Sequence, residues 1–223
     1  MSTPELRPPR TTPNLGLPLP GDASPADYVT ATGAIIDRLD QVAAQISQVG
    51  MTRIADQRLS AAAGNINFPN IPQTFSHLQL ILKTRAAGAN SALPWVHTYL
   101  RFNSDATASY DWQTLAGTGQ TVEAGVNLSQ PWGYVARVGG SAGDGAFSTV
   151  RIDIADYAAL VRKEYMAQAG AVRTSDSVGL SAALTTGYWR SEPAINTITL
   201  YISGDSGLTQ FVAGTRATLY ALA

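Results

Sequence analysis

The chain divides sharply by the kinds of apolar residue it carries. Seventeen of its eighteen aromatic residues lie from Phe68 onward, whereas seven of its twelve prolines fall within residues 1–25. A proline-rich stretch with scattered leucines cannot build a packed core, because proline fixes φ and lacks a backbone donor. We therefore predict that the core lies in the C-terminal part of the 223-residue chain, which is long enough for one domain with an appendage.

The first 24 residues are interpreted as an extended arm. The run Pro18-Leu19-Pro20 favours a polyproline II-like backbone, since each proline also biases its predecessor toward extended conformations. One interpretation is a disordered tail. The other is an arm that becomes ordered against a partner surface and is anchored there by Leu15, Leu17, Pro18, Leu19 and Pro20.

A helix is predicted from residue 25 onward. Ser24 suits the N-cap, Pro25 the first helical position, and Asp27 the positive end of the helix dipole. Apolar residues then follow at alternating spacings of four and three until Gly50, with Thr32 filling the one gap, which is a heptad pattern with the seam Tyr28, Ile35, Leu39, Val42, Ile46 and Val49. Its β-branched d positions favour three or more strands, so we predict a homotrimeric coiled coil. The alternative is an amphipathic helix lying on its own domain.

We place three segments along the chain. Residues 51–63 are expected to continue the helix, and the polar run that begins at Gly64 is expected to end it. The predicted organisation is thus an arm over residues 1–24, a helical trimerisation segment over 25–64 and a β-sandwich domain over 65–223.

In the C-terminal segment the apolar period changes to two. Polar and apolar residues alternate over His77–Lys83 and Val96–Phe102, which predicts half-buried strands. Further candidate strands are residues 149–154, 160–168, 178–188, 195–202 and 216–222. Strands at this spacing without intervening helices favour an antiparallel sandwich or barrel and exclude a parallel α/β fold. The glycine-rich residues 139–145 are predicted to form a hairpin tip.

Composition removes several function classes. The absence of cysteine excludes thiolate nucleophiles and disulfides. Charged residues make up 14% and the net charge is −1, which argues against a nucleic-acid-binding face. The longest apolar runs are too short to span a membrane and the N-terminus lacks a signal-peptide pattern, so we expect a soluble protein made in the cytosol.

No catalytic constellation is apparent, and we predict that the protein is not an enzyme and has no cofactor. Only His77 and His97 could serve as a base, and both fall on predicted strands beside bulky neighbours, which favours structural roles. Two histidines without cysteine also make a transition-metal site improbable. A calcium site that uses Asn103, Asp105 and Asp111 is kept as an alternative.

Several aromatic residues in or beside loops suggest a glycan-binding function. Trp95, Trp112, Trp132 and Tyr134 could stack on sugar rings, and they are equally suited to the core or to a trimer interface.

Two shorter motifs have structural interpretations. Trp189-Arg190 is interpreted as a core aromatic followed by a guanidinium that satisfies loop carbonyls, with an arginine in a binding site as the alternative. Asp156 is interpreted as a turn carboxylate, with the ring of Tyr157 packed on the sheet.

Five local motifs occur in an order that resembles tailed-bacteriophage virion proteins described as minor tail, tail-fibre or head-fibre proteins. They are IPQTFSHLQL at 71–80, LRFNSD at 100–105, IDIADYA at 152–158, GYWRS at 187–191 and FVAGTRATLY at 211–220. The arm sequence TPNLGLPLP at 12–20 also resembles the N-termini of phage adhesins. The resemblance implies a jelly-roll-like β-sandwich and carries over no catalytic residue.

The same resemblance implies a structural role in a virion. We expect a trimeric head or tail fibre or spike, anchored to other capsid or tail proteins by its N-terminus, that presents its sandwich to host-surface polysaccharide. The protein would then be located in the virion, and its partners would be sister copies and phage proteins. The alternative is an architectural decoration, collar or minor tail protein that binds no receptor.

Overall fold

Strands dominate the chain, as the period of two predicts. The computed structural model describes residues 10–11, 18–19, 32–42, 50–87, 95–119, 121–140, 145–172, 179–203 and 210–223. Two compact units are present, Met1–Gly50 and Met51–Ala223. The strands are β1 (Arg10–Thr11), β2 (Pro18–Leu19), β3 (Met51–Arg58), β4 (Asn65–Phe68), β5 (His77–Thr84), β6 (Ala86–Ala87), β7 (Trp95–Phe102), β8 (Tyr110–Thr118), β9 (Thr121–Gln130), β10 (Gly133–Gly139), β11 (Ser148–Ile154), β12 (Lys163–Val172), β13 (Leu180–Trp189), β14 (Ile198–Ser203), β15 (Gln210–Phe211) and β16 (Arg216–Leu222).

The second unit is built from two large antiparallel sheets and a two-stranded one formed by β15 and β6. One has eight strands in the order β3-β16-β5-β11-β12-β13-β8-β9, and the other has four in the order β10-β7-β14-β4. Alternate residues of β7 and β5, such as Leu100, Phe102, Leu80 and Leu82, lie in one continuous hydrophobic core. The prediction of a mainly β, antiparallel, sandwich-like fold is confirmed.

The predicted strands are found with small shifts at their ends. The largest shift concerns residues 160–168, because β12 begins only at Lys163 and continues to Val172. Residues 155–162 form turns instead, with Asp156 at a φ of 47°. Tyr157 is fully buried and its hydroxyl donates to the carbonyl of Pro72, so the ring packs on the sheet as predicted.

The helical prediction for residues 51–63 is wrong. Met51–Arg58 is the edge strand β3, and it pairs with the C-terminal strand β16. Asp56 accepts hydrogen bonds from Arg216 at 2.8 and 2.7 Å and from Thr218 at 2.8 Å. A partner strand some 160 positions away in sequence decides the conformation here, and local apolar spacing carries no information about it.

Two boundaries are corrected as a consequence. The β unit begins at Met51 and not at residue 65, and Asn65–Phe68, expected to follow the end of the helix, is the strand β4 with Ile66 and Phe68 in the core. The stretch 139–145 is not a hairpin tip either, because β10 and β11, on its two sides, lie in different sheets.

The N-terminal unit is described only in part. Residues 32–42 are helical, as predicted, with Ile35 and Val42 half-buried and Leu39 exposed. The other seam residues, Tyr28, Ile46 and Val49, lie outside the described residues. In the arm, the backbone of Pro18–Leu19 is extended but pairs with Arg10–Thr11 in a two-residue ladder, so it is not the isolated polyproline II segment we predicted. The remaining anchor residues, Leu15, Leu17 and Pro20, lie outside the described residues.

The side chain of one tyrosine connects the eight-stranded and the four-stranded sheet. Tyr165 of β12 is buried between the layers, and its hydroxyl donates to the carbonyl of Tyr134 in β10 at 2.8 Å. Gly187 makes room for this ring, since a Cβ placed on it would lie 1.9 Å from Tyr165 Cζ. The position of β10, and of the aromatic residues it carries, therefore depends on this packing.

Candidate functional site: an aromatic surface cleft

A cluster of aromatic rings lies on the outer face of the four-stranded sheet. Alternation along β7 sends Val96, Leu100 and Phe102 into the core and leaves His97 and Tyr99 on the outer face. Neighbouring strands and β8 of the larger sheet add further rings. We call this cluster the aromatic cleft, and its members are His97, Tyr99, Trp112, Trp132, Tyr134 and Tyr201.

Tyr99 occupies the centre of the cleft because β7 pairs on both sides. It lies opposite Tyr134 in β10 and opposite Tyr201 in β14. Its ring centroid is 5.7 Å from that of Tyr134, 6.0 Å from that of Tyr201 and 5.4 Å from that of Trp132. Edge-to-face and offset contacts at these distances are the favoured arrangements of aromatic pairs. The outcome is a strip of rings that crosses three strands.

Trp112 closes one end of this strip from the larger sheet. Its ring centroid lies 4.7 Å from that of Tyr134. A depression of about 120 Å³ opens beside the two rings, and Glu123 and Arg137 contribute its polar wall. Glu123 Oε2 and Arg137 Nη1 are 2.6 Å apart, so the wall is an ion pair with one charge of each sign.

A second depression lies at the other end of the strip. It measures about 320 Å³ and is lined by Tyr201, Arg101, Asn65, Thr199 and other polar residues. The guanidinium of Arg101 lies 5.2 Å from the ring centroid of Tyr201, and Arg101 Nε donates to the carbonyl of Pro131 at 2.9 Å. These contacts fix the cation over the ring before any ligand arrives.

The hydroxyls of two cleft tyrosines stay protonated at physiological pH. Burial raises the pKa of Tyr134 to about 12 and that of Tyr201 to about 12, so both hydroxyls keep their protons. His97 Nδ1 lies 3.1 Å from the hydroxyl of Tyr99. Among the described residues, the buried indole nitrogen Nε1 of Trp112 has no hydrogen-bond partner, which is uncommon for a buried donor.

This combination is suited to binding a ligand that has both apolar and polar faces. Flat rings offer apolar surface, while amides, hydroxyls and a fixed guanidinium offer hydrogen bonds around it. A sugar ring has these two properties, because its C–H groups lie on its faces and its hydroxyls project from its rim. The cleft can therefore bind a carbohydrate without making or breaking a bond.

The structure brings together three of the four aromatic residues that we considered for glycan binding. Trp112, Trp132 and Tyr134 are in the cleft, whereas Trp95 is half-buried at the start of β7, opposite Gly139. Sequence analysis missed Tyr99, Tyr201 and His97. The alternation of β7 marked Tyr99 and His97 as outward-facing, but only the strand order places them beside the other rings.

The proposed calcium ligands are not brought together. Asp105 accepts hydrogen bonds from Ser109 Oγ and Thr107 Oγ1, both at 2.6 Å, and from Trp189 Nε1 at 2.7 Å. Desolvation by burial opposes ionisation of Asp105, but these hydrogen bonds outweigh it and lower its pKa to about 2.

The other two candidate ligands serve separate loops. The amide of Asn103 bonds the backbone of residues 194–197, and Asp111 accepts from the Ser129 amide at 2.7 Å. Within the described residues no group of three or more histidine, aspartate or glutamate side chains is placed to hold a metal ion. The three polar residues therefore hold loops in place through hydrogen bonds.

Trp189 and Arg190 follow the structural interpretation. Trp189 is buried and stacks on Tyr110 with centroids 6.2 Å apart. The guanidinium of Arg190 donates to the carbonyl of Ala108 and, at 3.1 Å, to Ser129 Oγ. The arginine therefore links the loops that contain Ala108 and Ser129, as predicted for a residue that satisfies loop carbonyls.

The fold is mainly β and sandwich-like, and it carries a surface of clustered aromatic rings. Within the described part of the chain, no helix is both long and apolar enough to cross a membrane. No family model, curated protein or solved structure matches the chain. Function is therefore inferred from the residues of the chain.

Proposed function

We propose that this protein is a bacteriophage virion component, a homotrimeric head or tail fibre or spike. In this proposal residues 1–24 anchor the protein to other capsid or tail proteins, and the helix joins three copies. The jelly-roll-like sandwich is displayed to host-surface polysaccharide. The five motifs in their order, the helical heptad seam and the sandwich fold support the proposal.

The observation that carries the receptor-binding role is the aromatic cleft. A strip of rings centred on Tyr99 is bordered by one ion pair, one fixed arginine and an unpartnered indole donor at Trp112. Rings that serve only as core are normally enclosed by apolar neighbours. Here Trp112, Tyr134 and His97 line one open depression and Tyr201 lines another, both with polar walls. Tyr99 contacts Tyr134 and Tyr201 between the two depressions, and Trp132 contacts Tyr99. We propose that these depressions bind consecutive sugar residues of a bacterial surface polysaccharide.

Weak binding at one cleft is sufficient for such a protein. Joining three clefts on one stalk makes the second and third binding events intramolecular, and overall avidity can exceed single-site affinity by about 10²–10⁴. Several stalks on one particle extend the same effect. The proposed mechanism is therefore avidity and requires no chemical step.

Titration with purified capsular and lipopolysaccharide oligosaccharides tests the proposal. Because Trp112 and Trp132 lie in the cleft, intrinsic fluorescence should change on binding, and isothermal calorimetry gives the affinity independently. We expect Trp132→Ala to weaken binding at least tenfold. Tyr220→Ala is the matched control, since Tyr220 is a half-buried aromatic residue on the larger sheet outside the cleft.

Two results would count against the receptor-binding role. One is the absence of binding at millimolar concentration across a panel drawn from bacteria that the phage infects. The other is binding that Trp132→Ala and Tyr220→Ala weaken equally, which would place the ligand elsewhere.

An architectural role is the second candidate, and one observation favours it. Val122, Val126 and Leu128 of β9 are between 63% and 75% exposed, which suits a surface covered by protein in an assembled particle. A collar or decoration protein would bind no oligosaccharide and would be enclosed by neighbours on the virion. Cryo-electron microscopy of the intact particle separates this role from that of a projecting fibre.

A further inference from the structure

The larger sheet carries a second unusual surface, far richer in aliphatic residues than the cleft. Its outer face at the β9 end presents seven large apolar side chains that are between 46% and 75% exposed. We call this surface the apolar flank, and its members are Leu115, Val122, Val126, Leu128, Met166, Leu180 and Leu184.

Strand register gathers these side chains on one face. Leu184 of β13 lies opposite Leu115 of β8, and Leu115 lies opposite Ala124 of β9. Val122 and Val126 share a face with Ala124 because they lie two residues away on the same strand. Small residues such as Gly117 and Ala182 lie between them, so the flank contains only a shallow open groove of about 680 Å³, whose far side is lined by Thr149, Arg151 and Gln168. Such a surface is better suited to another flat protein surface than to a small ligand.

The flank ends at a sheet edge that lacks the usual protection. β9 is the last strand of the eight-stranded sheet and is ten residues long. Exposed edges are normally blunted by charge, proline or a covering element, because their free N–H and C=O groups pair readily with another chain. β9 contains no proline, and its one charged side chain, Glu123, is held by Arg137 of β10. The one irregularity of β9 is a bulge near Ser129 at its end, so the edge over Thr121–Asn127 is regular and open to a second chain.

The exposed apolar side chains of the flank supply part of the area that a protein contact buries. Burying one valine or leucine side chain removes roughly 60–120 Å² of apolar surface, so seven such side chains at these exposures present roughly 250–500 Å². The neighbouring small residues and the backbone of the edge extend this area toward the ~800 Å² per partner that a standard interface buries. A contact in which both copies contribute the flank uses one surface twice.

Charge is consistent with contact between identical surfaces. The outward residues of β8 and β13 over this area are Gln113, Leu115 and Gly117, and Leu180, Ala182, Leu184 and Thr186. None is charged, and the same is true of Val122, Ala124, Val126 and Leu128 in β9. Charge enters on the far side of the groove, where Arg151 of β11 is paired with Asp153 at 2.9 Å, so apposing two copies brings a neutralised ion pair to the contact and avoids the repulsion of a patch of one sign.

We infer that the apolar flank is an interface between copies of this chain. This inference rests on the self-association in the proposed function and is independent of glycan binding. It adds that the sandwich domains touch one another through β8, β9, β12 and β13, so the helical segment is not the sole contact between copies. Tyr99, Tyr134 and Tyr201 of the aromatic cleft lie on the other sheet, and Trp112 and Glu123 alternate with the flank residues of β8 and β9 and so face away from the flank.

Sedimentation equilibrium of the full chain with Val126→Glu tests the inference. Val126 is 63% exposed, so the change should leave the fold of each copy intact, and circular dichroism verifies this. We expect association to weaken at least 100-fold, because the contact would bury a charged carboxylate among apolar side chains. Leu160→Glu is the matched control, since Leu160 is 78% exposed on a turn outside the flank, and its association should be unchanged.

Each outcome decides one claim. Equal association of wild type, Val126→Glu and Leu160→Glu overturns the inference, as does a monomeric wild type. A trimer or a dimer that only Val126→Glu dissociates supports it, and the dimer would at the same time reject the trimeric fibre. Loss of oligosaccharide binding with unchanged association concerns the proposed function alone.

Discussion

Replacing Lys163 by methionine is expected to loosen the turns on one side of the sandwich. Lys163 is fully buried, and its Nζ donates to the backbone carbonyls of Ala159 at 2.7 Å, Glu192 at 3.2 Å, Pro193 at 3.3 Å and also Val161. These carbonyls belong to two turns that have no strand pairing of their own. One ammonium group therefore holds both turns against the start of β12.

The magnitude follows from counting donors and acceptors. An ammonium has three N–H groups, so about three charge-assisted bonds of roughly 1.5–3 kcal/mol each are lost. Two effects offset this loss. Water can reach part of the opened turns, and methionine avoids the desolvation that lowers the pKa of Lys163 in the folded protein. We expect the free energy of unfolding to fall by about 2 kcal/mol.

Urea denaturation followed by circular dichroism measures this change. Lys83→Met is the matched control, since Lys83 is the only other lysine of the chain and is exposed, with its ammonium 4.8 Å from the ring centroid of Phe147. A surface change of this kind should cost less than about 0.5 kcal/mol. If Lys163→Met proves as stable as Lys83→Met, the buried ammonium does not hold the turns and the reasoning fails.

Three further predictions concern other parts of the chain. Asp105 has a pKa of about 2 in the folded protein against an ordinary value of 3.8, so its contribution to the free energy of unfolding is complete above pH 4 and is lost as the pH falls to 2. After allowance for partial exposure we expect this contribution to be about 1 kcal/mol, and the stability of Asp105→Asn should not show this loss in an acid titration. Gly187→Ala should lower stability by about 3 kcal/mol because its Cβ would overlap Tyr165, whereas Gly170→Ala, with open space around it, should be near neutral by thermal unfolding. Val42→Glu should weaken self-association at least tenfold in sedimentation equilibrium, and an unchanged oligomer would contradict the helical seam.

Local sequence was sufficient to predict seven of the sixteen strands, whereas the long strands β8, β9 and β10 were not predicted. Alternation with a period of two depends only on neighbouring residues, so His77–Thr84 and Arg216–Leu222 could be recognised one strand at a time. Met51–Arg58 could not, because Ile54, Ala55 and Leu59 are also compatible with a continuing helix. Its strand conformation comes from pairing with β16 at the far end of the chain.

Local sequence likewise predicts only some of the residues of the candidate site. Trp112, Trp132 and Tyr134 could be proposed for a glycan site because aromatic residues beside loops are a local signal. Tyr99 and Tyr201 could not be added to them, since they are about 100 positions apart and become neighbours only because β7 and β14 pair in that register. The polar wall likewise depends on β9 meeting β10 through Glu123 and Arg137.

By itself the sequence determined the class of structure, since the uneven distribution of proline and aromatic residues and the change of apolar period leave an arm, a helix and an antiparallel β domain. Tertiary structure alone decided where the β domain begins, which rings share a surface and which sheet edge stays open. The physical reason is that periodicity is a property of consecutive residues, whereas strand order and register arise from contacts between residues that the chain brings together only when it folds.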